Sequence, residues 1–131
     1  MKYLLDTHVF LWACIQPEKL SSKAFEIISD NQSILYLSSA SIWEIAIKAG
    51  LGKLKFLSKN LNLKTFIEES IKHLNLIKLP VENHHIYTLY ELPEIHKDPF
   101  DRIHIAQANS EGLILITNDK QIRKYNVKTL W

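Results

Sequence analysis

The sequence is poor in residues that cross-link or break a chain, with one Cys, three Gly and four Pro among 131 residues. A single cysteine, Cys14, excludes an internal disulfide and a cysteine-rich zinc site. No apolar run is long enough to span a bilayer, and Asp6 interrupts the apolar stretch at the N-terminus, so we expect neither a membrane anchor nor a signal peptide. Length and composition predict one domain, residues 1–131, in the cytoplasm.

The chain also lacks a strong imbalance of charge, because 16 Lys and Arg stand against 14 Asp and Glu. A net charge of +2 is too weak to indicate a nucleic-acid partner by itself. The segment between Glu44 and Glu68 is the exception, since it has no acidic residue. It contains Lys48, Lys53, Lys55, Lys59 and Lys64. Two interpretations stay open for these lysines, a solvated face or a surface that contacts phosphate.

Short runs of Ile, Leu and Val indicate five buried strands. The runs are Tyr3–Leu5, Ile34–Leu37, Leu76–Leu79, Leu113–Ile116 and the segment from Val127 onward. Helical patterns lie between the strands and begin near Ser21, Ser41, Asn62 and Asp98. Asp98 is the predicted N-cap of the last helix, and Gly112 is its predicted end. Alternating strands and helices predict an α/β fold with a parallel sheet that is covered on both faces.

Four carboxylates occur where this kind of fold gathers its ligands, at the edge formed by the carboxyl ends of the strands. Asp6 directly follows the first strand, and Asp119 follows the strand that ends at Ile116. Glu44 and Asp101 fall in the predicted first turns of two helices. We therefore expect these four side chains to converge at one edge of the sheet.

Each of the four acids also has a local interpretation. A lone aspartate at a strand end commonly begins a turn, and Ser41 to Glu44 matches a helix capping box. Asp101 would complement a helix N-terminus, and Asp119 would cap a short helix near Lys120. Taken singly these interpretations are favoured. Taken together they weaken, because four caps have no reason to converge.

A cluster of this kind would need a cation. Two carboxylates about 5 Å apart repel by about 3 kcal/mol at an effective dielectric constant of about 20. Oxygen ligands select hard ions, so Mg²⁺ or Mn²⁺ fits better than zinc. Divalent ions held by carboxylates serve phosphoryl transfer. Composition and spacing lead no further than this.

Four stretches resemble the PIN-domain toxins of the VapC type. They are LLDTH from Leu4, SIWEIAIK from Ser41, LPEIHKDPFDRIHIAQA from Leu92 and LITNDKQI from Leu115. The stretches occur in the family's order over nearly the whole chain, and DPFDR followed by IAQA is the most specific of them. The resemblance implies a three-layer α/β/α sandwich around a short parallel sheet. It also implies a Mg²⁺-dependent endoribonuclease, with Mn²⁺ as a substitute ion, that is the toxin of a type II toxin–antitoxin pair.

The resemblance also implies the site residues and the partners. The four family acids correspond to Asp6, Glu44, Asp101 and Asp119, of which Asp6 and Asp101 would hold the metal most directly. Thr7 and Thr117 would place hydroxyl groups beside the metal. The implied partners are a small VapB-like antitoxin, an RNA substrate and a second copy of the chain in a homodimer. For contacts to the RNA backbone we select Arg102, Lys48 and Lys53.

The histidines are assigned to structure rather than to chemistry. His84 and His85 are adjacent, so on a helix they point about 100° apart and would make a poor metal pair. For His8 and His104 we favour structural roles over contacts to RNA, and His96 is expected to orient the loop before Asp98.

Two other functions stay open at this stage. One is an aspartyl-phosphate phosphatase-like enzyme, which Asp6-Thr7-His8 disfavours because it lacks a second aspartate. The other is a nucleic-acid-binding module that does not catalyse a reaction and retains vestigial acids.

Overall fold

The computed structural model describes residues 1–58 and 60–131, which leaves Lys59 of the predicted lysine surface outside the described residues. Strands and helices alternate along much of the chain. In order they are β1 (Lys2–Leu5), α1 (Thr7–Ile15), α2 (Ser22–Ser29), β2 (Ile34–Ser38), α3 (Ser39–Gly50), α4 (Leu63–His73), β3 (Leu76–Leu79), α5 (Asn83–Tyr90), α6 (Pro99–Glu111), β4 (Ile114–Ile116) and β5 (Thr129–Leu130). Two short 3₁₀ helices occupy Pro17–Lys19 and Ile122–Lys124.

The five strands form one parallel sheet in the order β3-β2-β1-β4-β5. Strand β1 lies at its centre, where Leu4 pairs with Tyr36 of β2 on one side and Leu115 of β4 on the other. The strand order therefore reverses at β1, and ligands of open α/β sheets bind outside the carboxyl ends of strands at such a point. Asp6, the residue after β1, lies at this position.

Helices cover both faces of the sheet, which confirms the predicted three-layer α/β/α sandwich. Successive side chains of a strand point to opposite faces. Leu5 of β1 accordingly packs in one core with Phe10 of α1 and Ile67 of α4. Leu4 packs in a second core on the other face with Ile105 of α6. The predicted strands are all present, within two residues of their predicted starts.

Helix α6 begins and ends as predicted, and this fixes the position of Asp101. Asp98 Oδ1 accepts hydrogen bonds from the backbone N–H groups of Phe100 and Asp101, at 2.9 and 3.2 Å, and Pro99 is the first helical residue. Gly112 ends the helix with a φ of 68°, a left-handed conformation that favours glycine. Asp101 therefore lies in the first turn of α6, facing the carboxyl edge of the sheet.

Two helices and one helix start were not predicted. Helix α1 is apolar almost all round and α5 is rich in aromatic residues, so neither shows a clear polar face. Helix α3 begins at Ser39 rather than at Ser41, because the hydroxyl oxygen of Ser38 accepts the N–H of Ala40 as the N-cap. Across the described ranges, no helix has the length and apolar character needed to cross a membrane.

Candidate active site

Asp6 ends the central strand and is buried, with 5% of its surface exposed. Its backbone N–H donates to the carbonyl of Ile116, at 3.1 Å, which ties it to the neighbouring strand β4. Although Asp6 occupies the N-cap position of α1, its carboxylate does not cap that helix. Instead Asp6 Oδ2 accepts a hydrogen bond of 2.6 Å from the hydroxyl of Thr117. The simple turn interpretation of Asp6 therefore does not account for its side chain.

Asp101 faces Asp6 across the carboxyl edge of the sheet. A carboxylate oxygen of each, together with a ring nitrogen of His104, forms a buried group whose atoms lie within 4.8 Å of one another. Burial, followed by repulsion from Asp6 and then Asp98, raises the pKa of Asp101 from 3.8 to about 7. His96 Nε2, which lies 2.9 Å from Asp101 Oδ2, opposes this rise.

Glu44 lies in the second turn of α3, one turn deeper than predicted, and is 3% exposed. The ammonium group of Lys48 donates to Glu44 Oε2 at 2.6 Å, whereas Glu44 Oε1 is buried and has no hydrogen-bond partner in the part of the chain that the structure describes. The capping-box interpretation of Ser41 and Glu44 is wrong, because Ser38 is the N-cap. The predicted RNA-contacting Lys48 instead neutralises an acid of the site.

Thr117 and Asp119 lie in the segment that follows β4, where Thr117 is buried and contacts Asp6. Asp119 is partly exposed, and its Oδ1 accepts the backbone N–H of Gln121 at 2.7 Å. The prediction that Asp119 caps a short helix near Lys120 is wrong, because the 3₁₀ helix begins at Ile122 and Gln121 occupies its N-cap position. Asp119 also lies close enough to Asp101 to contribute to the raised pKa. The backbone N–H of Asp119 donates to Thr117 Oγ1 at 3.1 Å, while that hydroxyl donates to Asp6. Thr117 therefore links two of the four acids.

Beneath the acids lies a buried polar chain formed by Thr7, Ser41 and His104. The hydroxyl of Thr7 donates to Ser41 Oγ at 3.0 Å, and Ser41 Oγ lies 3.0 Å from His104 Nε2. Complete burial lowers the pKa of His104, so the ring is neutral. Thr7 was predicted beside the metal, but its hydroxyl contacts Ser41. The spacing of three residues between Asp101 and His104 on one helix was the signal that could have placed His104 here.

The position of Arg102 does not fit the predicted contact with RNA phosphate. Its side chain is buried and its guanidinium group donates to the carbonyl groups of Pro93 and Leu89, at 2.9 and 3.3 Å. It also donates to Tyr125 Oη at 3.1 Å. The guanidinium group is directed into the protein, where it holds the loop before α6 instead of facing a ligand.

The same loop carries His96 to the site, as expected for a residue that orients this segment. The backbone N–H of His96 donates to Tyr125 Oη at 2.8 Å, and its ring contacts Asp101. Lys53, the other predicted RNA contact, is exposed directly after α3, and its backbone N–H donates to the carbonyl of Lys48. Of the predicted RNA-binding residues, Lys53 is thus the one left facing solvent.

The family profile of the PIN domain matches residues 3–128. The chain belongs to the PIN-domain family. This finding confirms the family resemblance seen in the sequence, and it agrees with the observed fold. PIN domains are nucleases, so hydrolysis of nucleic-acid phosphodiesters is the class of activity that the family indicates.

Solved structures share the fold of this PIN domain at low sequence identity. VapBC2 from Rickettsia felis, bound to a DNA fragment from its promoter, matches with a TM-score of 0.73 and 17% identity over 100% of this chain and 99% of that chain. DNA-bound VapBC from Salmonella typhimurium gives 0.67 and 15%, over 99% and 97%. FitAcB from Neisseria gonorrhoeae gives 0.65 and 20%, over 100% and 97%. Comparison with curated protein sequences gives no significant match.

The acids of this PIN domain fit a divalent cation. Among the described residues, Glu44 Oε1 is a buried oxygen without a partner, and the pKa of Asp101 is raised in part by repulsion from Asp6. A cation held by Asp6 and Asp101 would relieve this repulsion, whereas Glu44 belongs to none of the groups with ligand spacing in the described part of the chain. Asp6 and Asp101 are the residues placed to hold it, with Glu44 and Asp119 further out. A neighbouring group of His96, Asp98 and Asp101 also has ligand spacing, but Asp98 is occupied as a helix cap.

A second histidine–carboxylate cluster lies at the far end of α6. The Nε2 atoms of His84 and His85 lie 2.9 and 2.8 Å from the same oxygen, Glu111 Oε2, so the prediction that the two rings diverge is wrong. His85 Nδ1 accepts the backbone N–H of Glu82, which leaves the proton on Nε2 to donate to Glu111. These contacts lower the pKa of Glu111. Because His85 offers no free lone pair, the cluster is a hydrogen-bonded link between α5 and α6.

An apolar groove adjoins the acidic site. It has a volume of about 560 Å³ and is lined by side chains of α3, α5 and α6 and of the segment after β3. Trp43 and Phe100, the residues next to Glu44 and Asp101, form one wall and pack edge to face at 5.2 Å. Trp43 is 64% exposed. The acidic site is therefore bordered on one side by an apolar surface.

Proposed function

We propose that this PIN domain is a Mg²⁺-dependent endoribonuclease and the toxin of a type II toxin–antitoxin pair. The observation that carries the proposal is the pair of buried carboxylates, Asp6 and Asp101, that face each other where the strand order reverses. Two such groups without a cation are unfavourable, as the raised pKa of Asp101 indicates. Membership of a nuclease family supports the reaction class.

The side chains have separate tasks in this proposal. Thr117 fixes the orientation of Asp6 through its 2.6 Å hydrogen bond, and His96 fixes Asp101. Lys48 holds Glu44 in place and limits the negative charge of the site. When bound, a divalent ion would supply positive charge for the phosphate oxygens and a means of activating water. In the hydrolysis, a water oxygen loses a proton and bonds to phosphorus while one ester P–O bond breaks, and the leaving oxygen gains a proton.

We infer that single-stranded RNA is the substrate class, since unpaired bases can be splayed and read by a protein. Lys53 and the other exposed lysines after α3 would contact the phosphate backbone. Such contacts give affinity that falls with salt and does not depend on sequence. The family resemblance, rather than the geometry, supports RNA over DNA.

We also propose that a small VapB-like antitoxin and a second copy of the chain bind this domain in the cytoplasm. The fold neighbours are VapBC and FitAB-type complexes, which supports a cognate partner. Trp43 lies exposed in the wall of the apolar groove, and Tyr90, which follows the groove residue Leu89 in sequence, is 87% exposed. Together they supply apolar surface that a protein partner would cover.

The test compares wild type with Asp6→Asn on total cellular RNA, after removal of any bound antitoxin, with Mg²⁺ and with EDTA. Glu111→Gln is a matched control, because it alters a carboxylate outside the site. We expect discrete cuts that require Mg²⁺, are lost in Asp6→Asn and persist in Glu111→Gln. Cuts that persist equally in Asp6→Asn would overturn the assignment of the site.

The same proteins can be used to test the two other functions. RNA binding that ignores Mg²⁺, without any cleavage, would favour the binding module with vestigial acids. Labelling of Asp6 by an acyl-phosphate analogue would favour the aspartyl-phosphate phosphatase. A phosphorylated Asp6 would need a supporting lysine. Lys48 lies beside the site, but its ammonium group is paired with Glu44 at 2.6 Å.

A further inference from the structure

We propose that His104 supplies a ring nitrogen to the ion held by Asp6 and Asp101, and that this mixed donor set favours Mn²⁺ over Mg²⁺. The inference rests on the proposed function only in assuming that an ion binds at this site. It changes the expected cofactor, because the four acids alone would offer oxygen ligands and favour a hard ion.

The spacing of the three groups is that of ligands to one ion. A ring nitrogen of His104 and carboxylate oxygens of Asp6 and Asp101 lie within 4.8 Å of one another. Ligand atoms about 2.0–2.3 Å from one ion lie up to about 4.5 Å apart. Small side-chain adjustments would therefore bring all three groups into contact with a single cation.

The burial of His104 is an independent observation. Its side chain is fully buried, and Nδ1 has no hydrogen-bond partner among residues 1–58 and 60–131. A buried polar atom without a partner costs free energy, so it calls for an explanation such as an absent ion. An aliphatic residue at this position would fill space in the core without that cost.

We assign the ligand role to Nδ1, because the other ring nitrogen, Nε2, already contacts Ser41 Oγ. Histidines that bind metals usually donate the second ring N–H to a neighbouring acceptor, which fixes the tautomer and the ring orientation. His104 Nε2 lies 3.0 Å from Ser41 Oγ, which in turn contacts the hydroxyl of Thr7. A hydroxyl oxygen has two lone pairs, so Ser41 Oγ can accept from both Thr7 and Nε2 and leave Nδ1 with a free lone pair.

The donor set has a consequence for ion choice. Imidazole raises affinity for first-row transition ions, whereas Mg²⁺ is bound mainly by carboxylates, phosphates and water. We expect Mn²⁺ to bind at least about ten-fold more tightly than Mg²⁺, and the difference to depend on His104.

Two substitutions separate the ring nitrogens. His104→Gln places an amide near the position of Nε2 and can keep the contact with Ser41, but removes Nδ1. His104→Asn places an amide near Nδ1 and gives up the contact with Ser41. His96→Gln tests the other histidine in contact with Asp101, and His84→Gln is the control, because His84 lies outside the site.

The experiment combines calorimetric titration of Mn²⁺ and Mg²⁺ with pulsed electron paramagnetic resonance of the Mn²⁺-bound protein. We expect a nitrogen coupling to Mn²⁺ that changes when histidine is labelled with ¹⁵N, is lost in His104→Gln and remains in His96→Gln and His84→Gln. We also expect Mn²⁺ affinity to fall at least about ten-fold in His104→Gln, with Mg²⁺ affinity little changed. The labelling needs no substitution, so a variant that fails to fold does not prevent the test.

The outcomes separate this inference from the proposed function. If Mn²⁺ binds and Asp101→Asn abolishes binding, but no histidine coupling is seen, His104 is a core residue and the inference fails while the carboxylate site stands. A coupling lost in His84→Gln, or lost in His96→Gln but kept in His104→Gln, would also overturn it. If neither ion binds wild type, both the inference and the proposed function fail.

Discussion

Asp101 and Glu111 lie at opposite ends of α6, and each contacts histidine, yet their acidities move in opposite directions. The pKa of Asp101 is raised to about 7, and the pKa of Glu111 is lowered below its usual range. The helix dipole would do the reverse, since it favours a carboxylate at the N-terminus and disfavours one at the C-terminus. Local contacts therefore outweigh the dipole at both ends of this helix.

The difference shows how a binding site can be distinguished from a structural contact. Glu111 is exposed, and hydrogen bonds with His84 and then His85 lower its pKa. Asp101 is buried beside Asp6, and burial followed by like charge determines its pKa. Glu111, whose carboxylate is already hydrogen-bonded to its neighbours, holds α5 to α6. The carboxylate that its neighbours leave unsatisfied is the one that a cation would stabilise.

The largest expected effect is on cleavage. Asp101→Asn should reduce the rate of RNA cleavage at least about 100-fold, because loss of an ion ligand removes several kcal/mol of transition-state stabilisation and each 1.36 kcal/mol is tenfold in rate. Glu111→Gln should stay within about two-fold of wild type. Rates from single-turnover assays at equal protein concentration provide the measurement, and a similar loss in both variants would remove the distinction between the clusters.

The second effect is on stability without metal. The pKa of Asp101 is higher in the folded protein than its usual 3.8, so the folded state binds more protons between about pH 4 and pH 7. Stability is therefore greatest below pH 4 as far as this group is concerned, and is lost as pH rises through about 7. The full loss is at most about 4 kcal/mol, at 1.36 kcal/mol per pH unit.

Urea unfolding in EDTA at several pH values measures this effect. Asp101→Asn should be more stable than wild type at pH 8, and the difference should shrink as pH falls towards 4. Added Mn²⁺ should stabilise wild type and leave Asp101→Asn unchanged. A variant less stable than wild type at pH 8 would show that Asp101 does not suffer the repulsion described.

A smaller effect should follow from loss of the hydroxyl that orients Asp6. Thr117→Val removes the 2.6 Å hydrogen bond to Asp6 and the acceptor of the Asp119 N–H. Groups that orient metal ligands typically contribute 10- to 100-fold in affinity, so we expect Mn²⁺ to bind about ten-fold more weakly. Thr88→Val is the control, because it alters a hydroxyl on α5 that contacts the carbonyl of His84 and the hydroxyl of Ser110, outside the site. Equal affinities in the two variants would argue against an orienting role.

The smallest effect concerns Glu111. Its pKa is lower in the folded protein than its usual 4.5, so its contribution to stability is present above that pH and is lost as pH falls through the folded value. The group is partly exposed and solvent screens it, so Glu111→Gln should cost less than about 1 kcal/mol at pH 7. Thermal unfolding at pH 7 and pH 3 checks this, and a larger loss at pH 3 than at pH 7 would contradict it.

Much of the fold was predictable because its signals are local. The strands are short runs of Ile, Leu and Val, and α6 carries Asp98 as a cap and Gly112 as a stop. Parallel pairing then brings strand ends to one edge, which placed Asp6 and Asp101 together. Helices α1 and α5 were missed because burial on several sides, or aromatic content, removes the polar face that marks a helix in sequence.

The parts of the site that were not predicted depend on contacts between residues far apart in the chain. Ser41 looks like a cap, but its hydroxyl meets Thr7 and His104. Arg102 follows a site acid, but Tyr125 and the carbonyl groups of the preceding loop direct it inward. Sequence spacing fixes which helix face a residue occupies, whereas the partner on another element decides what its side chain does.

The most direct measurement is a calorimetric titration of Mn²⁺ into metal-free wild type, Asp101→Asn and Glu111→Gln at pH 8, where Asp101 is ionised. We predict a single class of binding site in wild type and in Glu111→Gln, and its loss in Asp101→Asn. Binding that survives in Asp101→Asn and disappears in Glu111→Gln would place the ion at the histidine cluster of α5 and α6, and would contradict the assignment of the active site.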